Sequence, residues 1–199
     1  MAEQVGRVTG RTRWRRFGVA MIPGLVGAFA LGFAVYQGAL AVSFAVSGTQ
    51  FKVSSSRLEG TGFQQFGGLD HEANGTPHPV AVSVIGDATL DDLCQSVRVS
   101  IPGLGSAVVK INAGAGAKEV HATNLVVDAT QLSGDATFTT MRIGQDAGQM
   151  TGNSQLAGAF GQSANSVVIE NLQQTAWATT AGEFTLAGLS LGFSGSECF

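Results

Sequence analysis

Hydrophobic and polar positions follow two different rhythms along this chain. From Phe17 to Ser47 they do not alternate at all: 31 consecutive residues, FGVAMIPGLVGAFALGFAVYQGALAVSFAVS, carry no charge. Past Gly48 a period of two takes over. Val80, Val82 and Val84 alternate with Ala81 and Ser83, Val97, Val99 and Ile101 with Arg98 and Ser100, and Val109 and Ile111 flank Lys110. Alternation of this kind marks half-buried strands, and Gly, Asn and Asp punctuate the runs as turn residues do. No long stretch past residue 48 has a clean helical period, although Ala88 to Val97 has room for one short turn with Leu90, Leu93 and Val97 on one side. The pattern predicts a single transmembrane helix over residues 17–47 and a mostly β domain over 48–199. That domain reads as an antiparallel sandwich or barrel-like arrangement, with a β-solenoid-like stack as the alternative.

A weaker recurrence overlies the alternation, in which an apolar residue is followed three places on by another. Leu90/Leu93, Phe138/Met141, Ile169/Leu172 and Leu186/Leu189 are examples, and Asp-Ala-Thr recurs at Asp87, Asp128 and Asp135. The spacing is too irregular for a repeat architecture. It suits either solenoid rungs or strands interrupted by bulges, and the bulged strand is the commoner source. Residues 67–79 and 145–165, rich in Gly, Asn, Gln, Ser and Pro, read as long loops.

Charge gives the uncharged run a direction. Residues 1–16 carry five arginines against one glutamate, and residues 48–199 carry thirteen acidic residues against six basic ones. A span needs about 20 apolar residues, and the basic side of a span stays cytoplasmic. Residues 1–16 then form a cytoplasmic head, and the β domain lies outside the membrane. The competing reading is a cleaved signal peptide and a secreted domain, for which Ala39-Leu40-Ala41 offers a small-x-small site; an apolar core of about 7–15 residues would be usual there. Gly24, Ala28 and Gly32 stand four apart on one helical face, a spacing that lets two membrane helices approach closely and makes a homo-oligomer one outcome.

The overall charge of −3, with 44% hydrophobic and 13% charged residues, excludes a disordered chain and argues against nucleic acid as partner. Cys94 and Cys198 both fall in the exterior part, where oxidising conditions favour a structural disulfide over two free thiols. No Cys-x-x-Cys and no zinc-type Cys/His spacing occurs, so the sequence implies neither metal nor other cofactor. Asp70, His71, Glu72 and His78 share one segment but match no standard ligand spacing, and solvated polar residues are the simpler reading. A Gly-x-Ser-x-Gly nucleophile elbow is missing: Gly192-Phe193-Ser194-Gly195-Ser196 fails at its last position. Trp177, in the run Gln174–Gly182, is the one aromatic in a polar cluster; it either anchors the core, as a single indole in a small β domain commonly does, or lines a ligand surface.

Several stretches together carry a resemblance. They are Gln50-Phe51-Lys52-Val53 after the uncharged run, Leu58-x-Gly60-Thr61-Gly62-Phe63, Leu93-Cys94-Gln95-Ser96-Val97, Ala122-Thr123-Asn124-Leu125, Gln174–Gly182 and the ending Glu197-Cys198-Phe199. The whole chain resembles a family of actinobacterial, Streptomyces-like, membrane-anchored cell-envelope proteins of unknown function, often labelled cholesterol esterase. The resemblance implies the cell envelope as location and a multi-pass membrane protein as a partner, and it supplies no catalytic residues. The expectation is therefore a non-enzymatic, membrane-anchored protein that presents a β domain to membrane lipid, another apolar ligand or a membrane-protein partner. A lipid-ester hydrolase is the alternative.

Overall fold

The computed structural model describes residues 47–199, apart from Pro102 and Leu104. The basic head, the uncharged run up to residue 46 and the Gly24, Ala28, Gly32 stripe lie outside the described residues. Among the described residues no helix is long and apolar enough to cross a membrane.

The domain is mostly β. Its strands are β1 (Phe51–His71), β2 (Pro77–Asp91), β3 (Leu93–Ile101), β4 (Gly105–Ala113), β5 (Val120–Thr139), β6 (Arg142–Asp146), β7 (Phe160–Thr180), β8 (Glu183–Thr185) and β9 (Ser190–Ser194). One short helix, α1 (Ala147–Thr151), is capped by the Asp146 carboxylate, which accepts from the Gln149 N–H. All strands join one antiparallel sheet in the order β6-β7-β5-β2-β1-β3-β4-β9, with β8 on β5. Because β7 also pairs with β1, the four long strands β1, β2, β5 and β7 close a ring. It is not a clean barrel, since β3, β4 and β9 continue from the start of β1 as a flap outside the ring. Every pairing is antiparallel, whereas a solenoid stacks its rungs in parallel, so the solenoid-like stack is not what forms.

The core lies inside the ring, where Val53, Leu58, Phe63, Ile85, Leu125, Val167, Ile169 and Leu172 are buried. Strands of 15–21 residues are too long to enclose so small a core without bending, and the residues three apart show where they bend. At one level all four long strands present inward residues three apart: Gly60 and Phe63, Ile85 and Ala88, Ala122 and Leu125, Ala164 and Val167. The register aligns Gly60 with Ala88 and Val167, and Ala88 with Ala122. The register runs unbroken through this level, so the strands bend together in step, each returning its next side chain to the same face. On β1 and β5 the residues at the bend are Gly62 and Asn124, both with positive φ. A second level repeats the device, with Ser55 and Leu58 opposite Leu172 and Ile169, and Leu90 followed by Leu93. There the positive-φ residues are Asn171 and Asp92. Leu90/Leu93 and Ile169/Leu172 of the sequence recurrence thus mark bends of the sheet, whereas Phe138/Met141 and Leu186/Leu189 span turns between strands.

Three local expectations are corrected. The span from Ala88 to Val97 holds no helical turn; Leu90 and Leu93 share a face because of the left-handed Asp92 between two strands. The loop expected over 67–79 shrinks to the turn between His71 and Pro77, and β7 begins at Phe160 inside the loop expected over 145–165.

The two cysteines form a disulfide, Cys94–Cys198, with an S–S distance of 2.04 Å. It lies on the back of the flap, where the chain's last residues are clasped. The Cys198 N–H donates to Ser96 Oγ at 3.0 Å, and Lys110 Nζ donates to the Glu197 carbonyl at 3.2 Å. Lys52 and Arg98 pair with the Glu197 carboxylate at 3.2 and 3.3 Å. Hydrogen bonding from Lys52 holds that carboxyl below the usual glutamate range.

Candidate functional site

The polar cluster with the most built-in chemistry gathers around Trp177. β7 buries Ala176 and Ala178 and leaves the indole between them half-buried rather than in the core. The His78 imidazole stacks on it with ring centres 3.9 Å apart and planes 21° from parallel. His78 Nε2 lies 2.7 Å from Glu72 Oε1, and both side chains are only 20% exposed. A carboxylate only accepts, so Nε2 carries the proton in this bond. The tight turn after His71 brings Glu72 back to His78, with the Glu72 N–H donating to the Thr76 carbonyl.

Two further carboxyls complete the cluster. Asp70 stands opposite His78 in the β1–β2 register, and its Oδ2 is buried without a hydrogen-bond partner. Burial raises the Asp70 pKa, against the pull of His71 and His78. Asp128, opposite Val82 on β2 and Ala178 on β7, is pushed up to about 6, by burial first and by the Asp70 charge second. Two carboxyls in one poorly solvated place resist ionising together, so both hold their protons above the usual aspartate range. The site offers acceptors and one titrating proton beside a stacked aromatic pair.

Of the residues singled out in the sequence, the structure unites Asp70, Glu72, His78 and Trp177, and leaves His71 exposed at the end of β1. Among the described residues no three His, Cys, Asp or Glu side chains form a metal-holding group. Nor, among them, does a Ser or Thr hydroxyl hydrogen-bond a histidine. Asp128 stands in the sequence only as part of the Asp-Ala-Thr recurrence and not as a site residue; its signal was a lone carboxylate inside the apolar run Leu125 to Ala129.

Two other concavities differ in kind. The ring encloses an apolar cavity of about 40 Å³ lined by Val53, Phe63, Leu125 and Leu172 among others. Pockets that bury a drug-sized ligand measure roughly 300–1,000 Å³, so the interior as it stands holds no sterol or acyl chain. An open groove of about 370 Å³ crosses the row of Gly60, Ala88 and Ala122 and is rimmed by Glu59, Asp87 and His121.

Asp128 makes the cluster testable. Its carboxyl has a higher pKa folded than unfolded, so folding favours the protonated form. The native state is therefore relatively most stable below the unfolded value near 3.8 and loses stability as pH rises through about 6. Asp128→Asn is expected to stabilise the chain at pH 7–8 by roughly 1–2 kcal/mol, a figure reduced for partial solvent screening. The gain should vanish below about pH 4. Urea unfolding at both pH values measures it, and an equal effect at both would show that Asp128 does not titrate as described.

No curated protein and no solved structure matches this chain. A family pattern does match, over residues 47–199, and the chain belongs to that family, DUF6230, a family of unknown function.

Proposed function

We propose that this chain is a non-enzymatic, membrane-tethered protein of the cell envelope, displaying a disulfide-closed β domain on the exterior side. Residues 17–47 form the tether, residues 1–16 stay cytoplasmic, and the Gly24, Ala28, Gly32 face pairs tethers. The observation that carries this reading is the Cys94–Cys198 disulfide, which closes a domain lying directly after the uncharged run. Disulfides persist in oxidising compartments and are rare in the cytosol. The arginines before the run agree with that orientation.

What the domain receives follows from its surfaces. With an interior of about 40 Å³, lipid is met on the outside of the sheet. The Trp177, His78, Asp70 and Asp128 cluster is the polar surface for a membrane-protein partner or a ligand rich in hydrogen-bond donors.

The test is topological. In intact cells expressing the full chain, the β domain is expected to be digested by external protease while the chain sediments with membranes. Residues 1–16, carrying an epitope tag, should remain protected. A domain protected until lysis would overturn the orientation. A soluble exterior product lacking residues 1–41 would establish the cleaved signal instead.

A further inference from the structure

We infer that the flap of β3, β4 and β9 lies with its apolar face on the bilayer surface, an inference that rests on the tethered reading above. The register writes this face as cross-strand rows. Phe51 stands opposite Val97, Val97 opposite Val109, and Val109 opposite Phe193. The neighbouring row is Val53, Gln95, Ile111 and Leu191. At β1 this face is the core, with Val53 buried and Phe51 packed against it. Beyond the ring the same face opens stepwise, with Gln95, Val97, Val109 and Ile111 half-buried and the outer edge exposed. Leu189, Leu191 and Phe193, alternate residues at the sheet edge, are 55%, 66% and 76% exposed.

The two sides of the flap differ in charge. Lys52, Arg98 and Lys110 all belong to the back, where they hold Glu197 and the disulfide-bonded chain end over buried Val108. The two front rows carry no charge. Natural edge strands are usually blunted with lysine or proline, and β9 (SLGFS) has neither. A contiguous apolar face of this kind marks a contact surface.

The occupant is chosen by where the chain arrives. The uncharged run ends at Ser47, and only residues 48–50 separate it from Phe51, the first residue of the first row. Extended chain spans at most about 3.3–3.6 Å per residue, so Phe51 lies within roughly 14 Å of the end of the run. With the run in a bilayer, the row begins at the membrane surface and leads outward to Phe193. Phe and Leu side chains on an otherwise uncharged face suit the boundary between headgroups and acyl chains.

The experiment uses the full chain in phosphatidylcholine–phosphatidylglycerol vesicles, with an environment-sensitive fluorophore on Phe193→Cys, and separately on Leu191→Cys. The control is Gln155→Cys, beyond the opposite end of β7 from the stretch that pairs with Phe51. Acyl-brominated lipid is expected to quench the labels at 193 and 191 roughly twofold or more and to leave 155 unchanged. Unquenched labels at 193 and 191 in chains that float with the vesicles would overturn the inference and leave the tether standing. The same holds if those labels instead report a second copy, by self-quenching or crosslinking. Chains that fail to float would overturn the tether, and the inference with it.

Discussion

Replacing Cys94 and Cys198 together by serine is expected to lower the melting temperature on the order of 10 °C. The bridge joins residues 104 apart in sequence, and in the chain-entropy picture a closed loop of about 100 residues is worth about 4–5 kcal/mol. For a domain of this size each kcal/mol moves the midpoint by about 2–4 °C. The ion pairs around Glu197 do not substitute for the bridge. They are partly exposed, and such pairs contribute about 0–1 kcal/mol each. Once the bridge is gone the chain end has little to hold it, and buried Val108 and Ser96 on the back of the flap meet water. Thermal unfolding followed by circular dichroism, for the double variant and for reduced native protein, checks this. Lys52→Ala serves as comparison and should shift the midpoint by no more than about 4 °C. A double variant melting within about 2 °C of the native chain would show that the clasp, not the bridge, secures the end.

What could be read from the sequence, and what could not, divides along a physical line. Side-chain patterns were legible because burial acts on side chains. The alternation at Val80–Val84 and Val97–Val99 is strand, and Leu90/Leu93 and Ile169/Leu172, three apart, mark where the sheet bends. Strand ends were not legible, because main-chain pairing is indifferent to many side chains. Gly67 and Gly68 look like loop yet pair with Ala81 and Val80. Pro77 and Pro79 look like breakers, but β5 pairs with β2 only from Ala81 onward. The prolines therefore sit where β2 is paired on one side, the place a sheet tolerates them. Gly161 to Ser163 likewise become strand because β1 and β6 flank them. The site was half legible. His78 and Trp177 are 99 positions apart, and only the closure of the ring sets one ring upon the other. Asp128 is marked in the sequence only by the Asp-Ala-Thr recurrence, because an isolated carboxylate is ordinary until its surroundings are known.

Deleting Asn171 is expected to abolish folding, whereas Asn171→Gly should leave stability within about 0.5 kcal/mol. Asn171 is the extra residue between inward Ile169 and inward Leu172, held at φ 53°. At Val167 and Ile169 the buried residues of β7 are odd-numbered; from Leu172 to Ala178 they are even-numbered. A strand's side chains alternate strictly, so removing one residue turns every later side chain to the other face. Leu172 and Ala176, both fully enclosed, would face outward, and Gln173, Thr175 and Trp177 would face the core. Repairing the pattern means sliding β7 against both β1 and β5, whose pairings on either side of it fix the register. The loss exceeds the roughly 5–15 kcal/mol that holds a typical domain folded. Glycine, by contrast, adopts the left-handed conformation without strain and sacrifices only the 3.2 Å bond from Asn171 to Asp135. Asn171→Val keeps the residue count but forces a β-branched side chain into that conformation, at a cost of about 1–2 kcal/mol. Urea midpoints of the four chains should therefore fall in the order native, Gly, Val, deletion. A deletion variant with a native-like midpoint would mean that β7 turns its faces without the bulge.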